Sequence, residues 1–404
     1  MIVYDKLDSG LRVVTETMPG VLSATMAMCV EIGARDEDYS LSGTSHFLEH
    51  LLFKGTTSRS SFEIAQDLDL MGGISNAATS TEQTTYYIKI VKDDMDDGLD
   101  LLMDIISDPA FREEEVETER QVILEEISMH EDNPASICWD NLISTCYEGS
   151  LLGKSIQGTT DTINNITREQ IRDFWNENYT VSNIIVAAAG AVDHGYILDR
   201  LSTGLNSRPT GKKINRDIPI FNPGKELAIT KDFAQTTVMM AYDSIEKKDE
   251  RRNPLTILNT VFGGSYSSRL FQEVREKLGL VYSIDAGWMG NVDSGLSVIS
   301  FATGPQNLDT VLKVIQTEVD KLLQDGITAK ELELAKRSIK AEVAMSFETS
   351  SSRMSRISSM VSVHDKVYSI EEQLQRLLDV TLDDVMFTAR DIFSKPYSIC
   401  QVGP

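Results

Sequence analysis

The order of structural patterns in the first half of this chain returns in the second, and that repetition limits the fold more than any other feature. Residues 24–34 (ATMAMCVEIGA) and 236–245 (TTVMMAYDSI) each alternate like a strand and precede a polar turn and a helical stretch. Two charged helical stretches then occupy corresponding places, EEVETERQVILEE at 114–126 and AKELELAKRSIKAE at 329–342. Each half closes with a further helix and a short strand, REQIRDFWNENYTVSNIIVAAAGAV in the first and LDDVMFTARDIFSKPYSICQVG in the second. Strands mixed with paired long helices predict an α+β fold of two homologous domains, each a largely antiparallel sheet with helices packed on one face. Residues 208–225 (RPTGKKINRDIPIFNPGK) carry three of the ten prolines and no apolar periodicity, which predicts a surface linker between domains 1–207 and 226–404.

With 41% hydrophobic residues in 404, two cores can be built. The net charge of -24 speaks against nucleic acid and anionic membranes as partners and favours basic peptides and cations. The four cysteines form no CxxC pair and are expected to be small buried residues in a reducing compartment. The N-terminus runs directly into a strand pattern, without a signal or transit segment. The most apolar stretch, NIIVAAAGAV (183–192), is too short to span a bilayer. A cytoplasmic protein is the expectation.

Two of the five histidines, His46 and His50, stand four apart with Glu49 between them. On a helix that spacing puts both imidazoles on one face, one turn apart, where they can share a metal ion. A catalytic zinc takes three protein ligands and a water whose pKa it lowers, and an adjacent unligated carboxylate such as Glu49 can receive that proton. The HxxEH order is the reverse of the commoner HExxH arrangement. Further along, Glu119 and Glu126 lie two helical turns apart on one face, so one can bind the metal while the other supports it. His130, one turn beyond Glu126, is a competing ligand. In the second half, LNTVFGGSYSSRLF occupies the place of the HxxEH helix and has no histidine, so one metal per chain is expected.

The stretches HFLEHLLFKGT, GGISNAATSTEQTTYY and ERQVILEEISMHEDNP resemble the pitrilysin-type zinc metallopeptidases over essentially the whole chain. The likeness is greatest to short bacterial members related to the β subunit of mitochondrial processing peptidase. The resemblance implies zinc, with Glu126, 76 residues after His50, as third ligand and Glu119 as the supporting carboxylate. It implies that Arg275 and Tyr282, in RLFQEVREKLGLVYSIDAG (269–287), hydrogen-bond substrate carbonyls, including the developing oxyanion. It places Asn76 and Ala77 on a substrate-binding strand edge and Phe53 in the wall of the pocket just beyond the scissile bond. Asp140 matches one of two acidic residues with which the mitochondrial relatives read an upstream arginine, while Ser136 stands at the other position. Members of this size pair into a clam-shell enclosing a chamber, so a homodimer acting on unfolded peptides is expected. A zinc endopeptidase is the leading expectation. The alternatives are a catalytic subunit working with an inactive paralogue, and a non-catalytic core subunit of the same fold.

Overall fold

The strand patterns form two sheets in the computed structural model, which describes residues 1–205, 208–211 and 214–404. The first sheet contains β1 (Ile2–Lys6), β2 (Arg12–Thr17), β3 (Ser23–Val30), β4 (Ile74–Thr79), β5 (Thr84–Val91) and β6 (Ile184–Gly190), in the order β1-β2-β6-β3-β5-β4. The second contains β7 (Glu226–Thr230), β8 (Thr236–Ser244), β9 (Val281–Gly290), β10 (Gly295–Thr303) and β11 (Ser398–Gly403), in the order β7-β11-β8-β10-β9. With β1 set aside, the two orders match strand for strand. Each sheet has a single parallel pair, β2 with β6 and β7 with β11, in the same place. The expected α+β duplication is therefore present in the topology itself.

The chain divides into two units that are not its sequence halves. Unit 1 comprises Met1–Ser128, Lys154–Arg216 and Met345–Val367. Unit 2 comprises Met129–Gly153, Asp217–Ala344 and Tyr368–Pro404. In unit 1, Met26, Met28 and Val30 of β3 and Val186 and Ala188 of β6 face the main core, beside helices Thr44–Leu52, Met95–Ser107 and Arg168–Asn178. The alternate residues Ala27, Cys29, Ile185, Ala187 and Ala189 face the other way, onto Met354, Ile357 and Val361 of helix Ser350–His364. β6 is buried on both faces, which is why every one of its positions is apolar or glycine. Unit 2 repeats the device: Ile137, Cys138 and Leu142 of helix Pro134–Cys146 cover Ala241, Leu296, Cys400 and Val402. Helices thus lie on both faces of each sheet, one more layer than helical periodicity alone predicts.

The borrowed helix in unit 1 is also fastened by charge. Glu16, 3% exposed on β2, accepts from Arg353 Nη1 at 2.6 Å and Arg356 Nη2 at 3.0 Å. Two arginines of the expected linker are likewise tied down in unit 1. Arg208 stacks 3.7 Å over the Trp175 ring and donates to Tyr179 O, and Arg216 pairs with Asp36 at 2.7 Å. Lys212 and Lys213 of that segment lie outside the described residues. All four cysteines are free and buried, and no described helix is long and apolar enough to cross a membrane.

Removing the Glu16 carboxylate takes the shared anionic partner from two guanidinium groups that are only partly solvated. Glu16→Ala should therefore destabilise the protein by about 2–4 kcal/mol, read as a lower urea midpoint. A loss below about 0.5 kcal/mol would mean that apolar contact alone holds the helix.

Candidate metal centre

Helix Thr44–Leu52 buries Phe47, Leu48, Leu51 and Leu52 and turns His46, Glu49 and His50 to the opposite side. Its start is set by a carboxylate in the turn that precedes it. Glu37, 1% exposed, accepts from Gly43 N at 2.8 Å and Ser45 N at 2.6 Å, satisfying N–H groups that a helix leaves open. Gly43 holds φ +96, a left-handed turn that glycine adopts without strain. The second helix, Glu113–Glu131, buries Val116, Glu119, Arg120, Ile123 and Ile127 along one stripe. Arg120 locks it in place: it donates to Ile166 O at 2.9 Å, also to Ile163 O, and its guanidinium sits 5.4 Å over the Phe47 ring.

These two helices bring three ligand atoms together. Glu126 Oε2 is 3.5 Å from His46 Nε2 and 3.7 Å from His50 Nε2, and the three residues are the one metal-capable group found among the described residues. Tetrahedral zinc with bonds near 2.05 Å requires ligand atoms about 3.4 Å apart, so the spacing fits zinc with little movement. The other ring nitrogens differ. His50 Nδ1 meets Glu119 Oε2 at 3.0 Å, whereas buried His46 Nδ1 has no hydrogen-bond partner. Burial, then the neighbouring His50, lowers the His46 pKa to about 4, which keeps this imidazole neutral and able to bind a metal. For His50 burial pulls the other way from its carboxylates, and Glu119 and Glu126 win, raising its pKa. Glu119, almost fully buried, takes Lys54 Nζ on Oε1 at 2.8 Å; despite burial, His50 and Lys54 hold its pKa below the usual range.

Beside the imidazoles runs a groove of about 400 Å³, lined by Glu49, His50, Phe53, Ile64, Leu68 and Ala77 among others. It lies along β4, an edge strand of the sheet that pairs only with β5. Ala77 N donates to the Asn76 side chain at 2.9 Å, so this edge N–H is held by an amide that an incoming strand can displace. From the same strand the Thr79 hydroxyl donates to Glu49 Oε2. His130 pairs with Asp140 at 3.2 Å in unit 2, and Ser136 N is capped by Asn133.

Arg275 and Tyr282 both belong to unit 2 and meet each other there. The stretch Phe271–Lys277 is a π-helix, a form that often marks functional positions. The turn after it is closed by Gly279 with φ +62, whose N–H bonds Arg275 O at 2.9 Å. The Arg275 guanidinium stands 4.5 Å from the Phe271 ring and 5.3 Å from the Tyr282 ring, and Tyr282 is 82% exposed. No pattern in the sequence marks Glu37, Thr79, Arg120 or Lys54. Thr79, Arg120 and Lys54 act on partners far along the chain, Glu37 acts on N–H groups just ahead of it, and only the HxxEH motif marks the region they serve.

A group of two imidazoles and a carboxylate, beside a second, free-standing carboxylate and an open strand edge, has the make-up of a metal-assisted hydrolase. Comparison with known proteins agrees. Residues 12–160 match the family model described as insulinase, peptidase family M16, and residues 165–339 match the peptidase M16 inactive domain. The chain is 35% identical over 404 residues to YmxG of Bacillus subtilis, named an uncharacterized zinc protease, covering 100% of this chain and 98% of that protein. An uncharacterized zinc protease of Streptomyces coelicolor is 35% identical over 407 residues, covering 98% of this chain and 88% of the relative. In fold, the chain is similar to a protease from Helicobacter pylori, with a TM-score of 0.92, 24% identity and 100% of each chain covered. A peptidase M16 inactive domain structure from Pseudomonas fluorescens gives a TM-score of 0.93 at 19% identity, covering 100% of this chain and 98% of that one. The chain belongs to the M16 peptidase family.

The Glu37 cap makes stability depend on pH. Burial raises its pKa from 4.5 to about 7 against the opposing pull of Lys154 and the two N–H donors. Between those values the folded state binds the extra proton, so stability falls as pH rises through this window and the full cost is present above it. Glu37→Gln should flatten the stability curve between pH 5 and 7 relative to wild type, by up to about 1.4 kcal/mol per pH unit. Parallel curves from denaturant titrations would show that Glu37 does not titrate there.

Proposed function

We propose that the protein is a zinc endopeptidase that cuts unfolded or flexible peptide segments, with one zinc held by His46, His50 and Glu126. The observation that carries this reading is the separation of the three ligand atoms, 3.5 and 3.7 Å about Glu126 Oε2, beside Glu49 and the groove. Zinc, when bound, supplies a Lewis acid and makes a water acidic enough to attack a carbonyl near neutral pH. Glu49, oriented by Thr79, accepts the proton of that water and returns it to the leaving amine. Glu119 holds His50 with Nε2 toward Glu126. The substrate extends β4 by main-chain hydrogen bonds near Asn76 and Ala77, with the side chain after the cut resting against Phe53 in the groove. Arg275 and Tyr282 donate to substrate carbonyls, a role supported by the family resemblance and by their pairing in unit 2. Pairing of two chains around an enclosed chamber is supported by the family resemblance and would restrict substrates to unfolded ones.

Glu49→Gln keeps the side chain's size but cannot accept the proton. It should retain zinc and lose at least about 100-fold in turnover of an unfolded peptide. Loss of zinc from this variant, measured by metal analysis, would make Glu49 a ligand and undo the assignment.

Tyr282→Phe should lower turnover by about 100-fold with zinc content unchanged, the worth of one good donor to an oxyanion. Wild-type turnover would remove Tyr282 from the reaction. The same assay on a basic and an acidic peptide tests the effect of the net charge of -24. The basic peptide should be favoured at low salt and lose that advantage as salt rises.

A further inference from the structure

We infer that Lys54 is a positioning residue for the metal ligand His50, acting through Glu119. This rests on the zinc reading above. Lys54 follows His50 by four residues and closes the end of helix Thr44–Leu52, its N–H bonding Leu51 O at 3.0 Å. Its Nζ stands 2.8 Å from Glu119 Oε1, and Glu119 Oε2 stands 3.0 Å from His50 Nδ1. A single carboxylate, its side chain 3% exposed, therefore joins a lysine to a ligand imidazole.

The geometry assigns each oxygen a task. A carboxylate held at one oxygen only can turn about its last bond and carry that oxygen away from its partner. An ammonium on the other oxygen stops the turn, because charge-assisted hydrogen bonds are short and directional. With the plane of Glu119 fixed, His50 Nδ1 is fixed, and Nε2 stays aimed at Glu126 Oε2, 3.7 Å away. His46 has no comparable partner on Nδ1, so this chain of contacts is the hydrogen-bonded support that the ligand imidazoles have.

Charge points the same way. Glu49, Glu119 and Glu126 bring three negative charges to a site for a divalent cation, and Lys54 makes the sum zero. Without it Glu119 gains freedom to leave His50 and compete for the metal. Lys54 is more exposed than Glu119, 37% against 3%, and reaches the carboxylate from the rim of the groove, where an ammonium retains some of its hydration.

Competition with a chromogenic zinc chelator, using the full-length protein, tests the inference. Lys54→Met should weaken zinc binding by about 10–100-fold, the usual effect of losing an outer partner of a ligand histidine. Lys54→Arg, which keeps the charge and the donor, should stay within about threefold of wild type. Glu119→Gln should resemble Lys54→Met, and the double variant should be no worse than the poorer single one by more than about threefold, because both act on one contact chain. Zinc-free Lys54→Met should have a somewhat lower urea midpoint than wild type, because buried Glu119 loses one partner, while staying fully folded in the chelator assay. Wild-type zinc affinity in Lys54→Met would overturn the inference, as would losses that multiply in the double variant. Unchanged zinc binding in His50→Ala would instead overturn the zinc reading itself, so the two failures are told apart.

Discussion

A nine-residue helix is too short to be stable in water, yet here it must hold two imidazoles to within tenths of an ångström. Its order therefore comes from outside, at both ends and along one face. Glu37 closes its first N–H groups, Phe47 and Leu48 bury its inner side, and Arg120 packs over Phe47. Glu119 reaches it from the neighbouring helix at His50 and, one turn on, at Lys54. The two imidazoles are thus carried on the groove side of a segment held by buried polar contacts. Each clamp is a charged group with its polar contacts made, which is how such groups can be buried without prohibitive cost.

The duplication was readable because period and order survive in the sequence even where residues do not. The ligand helix was readable for a different reason: His46 and His50 are four apart, and 3.6 residues per turn leave little choice about where they point. The pair Glu119 and Glu126 was readable as a pair but not by role. Spacing puts both on one face, and only the distances separate the residue near both Nε2 atoms from the one on Nδ1. The fate of helices Pro134–Cys146 and Ser350–His364 was hidden. An apolar stripe announces burial without naming the sheet that provides it. The unbroken apolar run of β6 was the one available hint that a second helical layer existed.

Two copies of one topology have been put to different uses. The second-half counterpart of the ligand helix, Arg252–Phe262, buries Leu255, Ile257, Leu258, Val261 and Phe262 and carries no histidine. The edge positions tell a more continuous story. β4 and β9 occupy the same outer place in their sheets, and each carries proposed substrate contacts: Asn76 and Ala77 on one, Tyr282 on the other. An edge strand has unpaired backbone groups whatever its side chains, so the capacity to meet an extended peptide belongs to the topology. A metal site needs particular side chains at particular spacings, and among the described residues that grouping occurs in one copy.

The exchange of helices between halves bears on how such a chain is made. Synthesis delivers all three proposed ligands by Glu126, less than a third of the way along this sequence. The sheet behind them still presents Ala27, Cys29, Ile185 and Ala187 on a bare face, because the helix that covers it begins at Ser350. A nascent chain must therefore carry that apolar face, and the single carboxylate of Glu16 upon it, until nearly nine-tenths of the protein has left the ribosome. Contacts separated by more than three hundred residues form late and slowly. The same connectivity leaves the sheet of each half dependent on a helix encoded in the other.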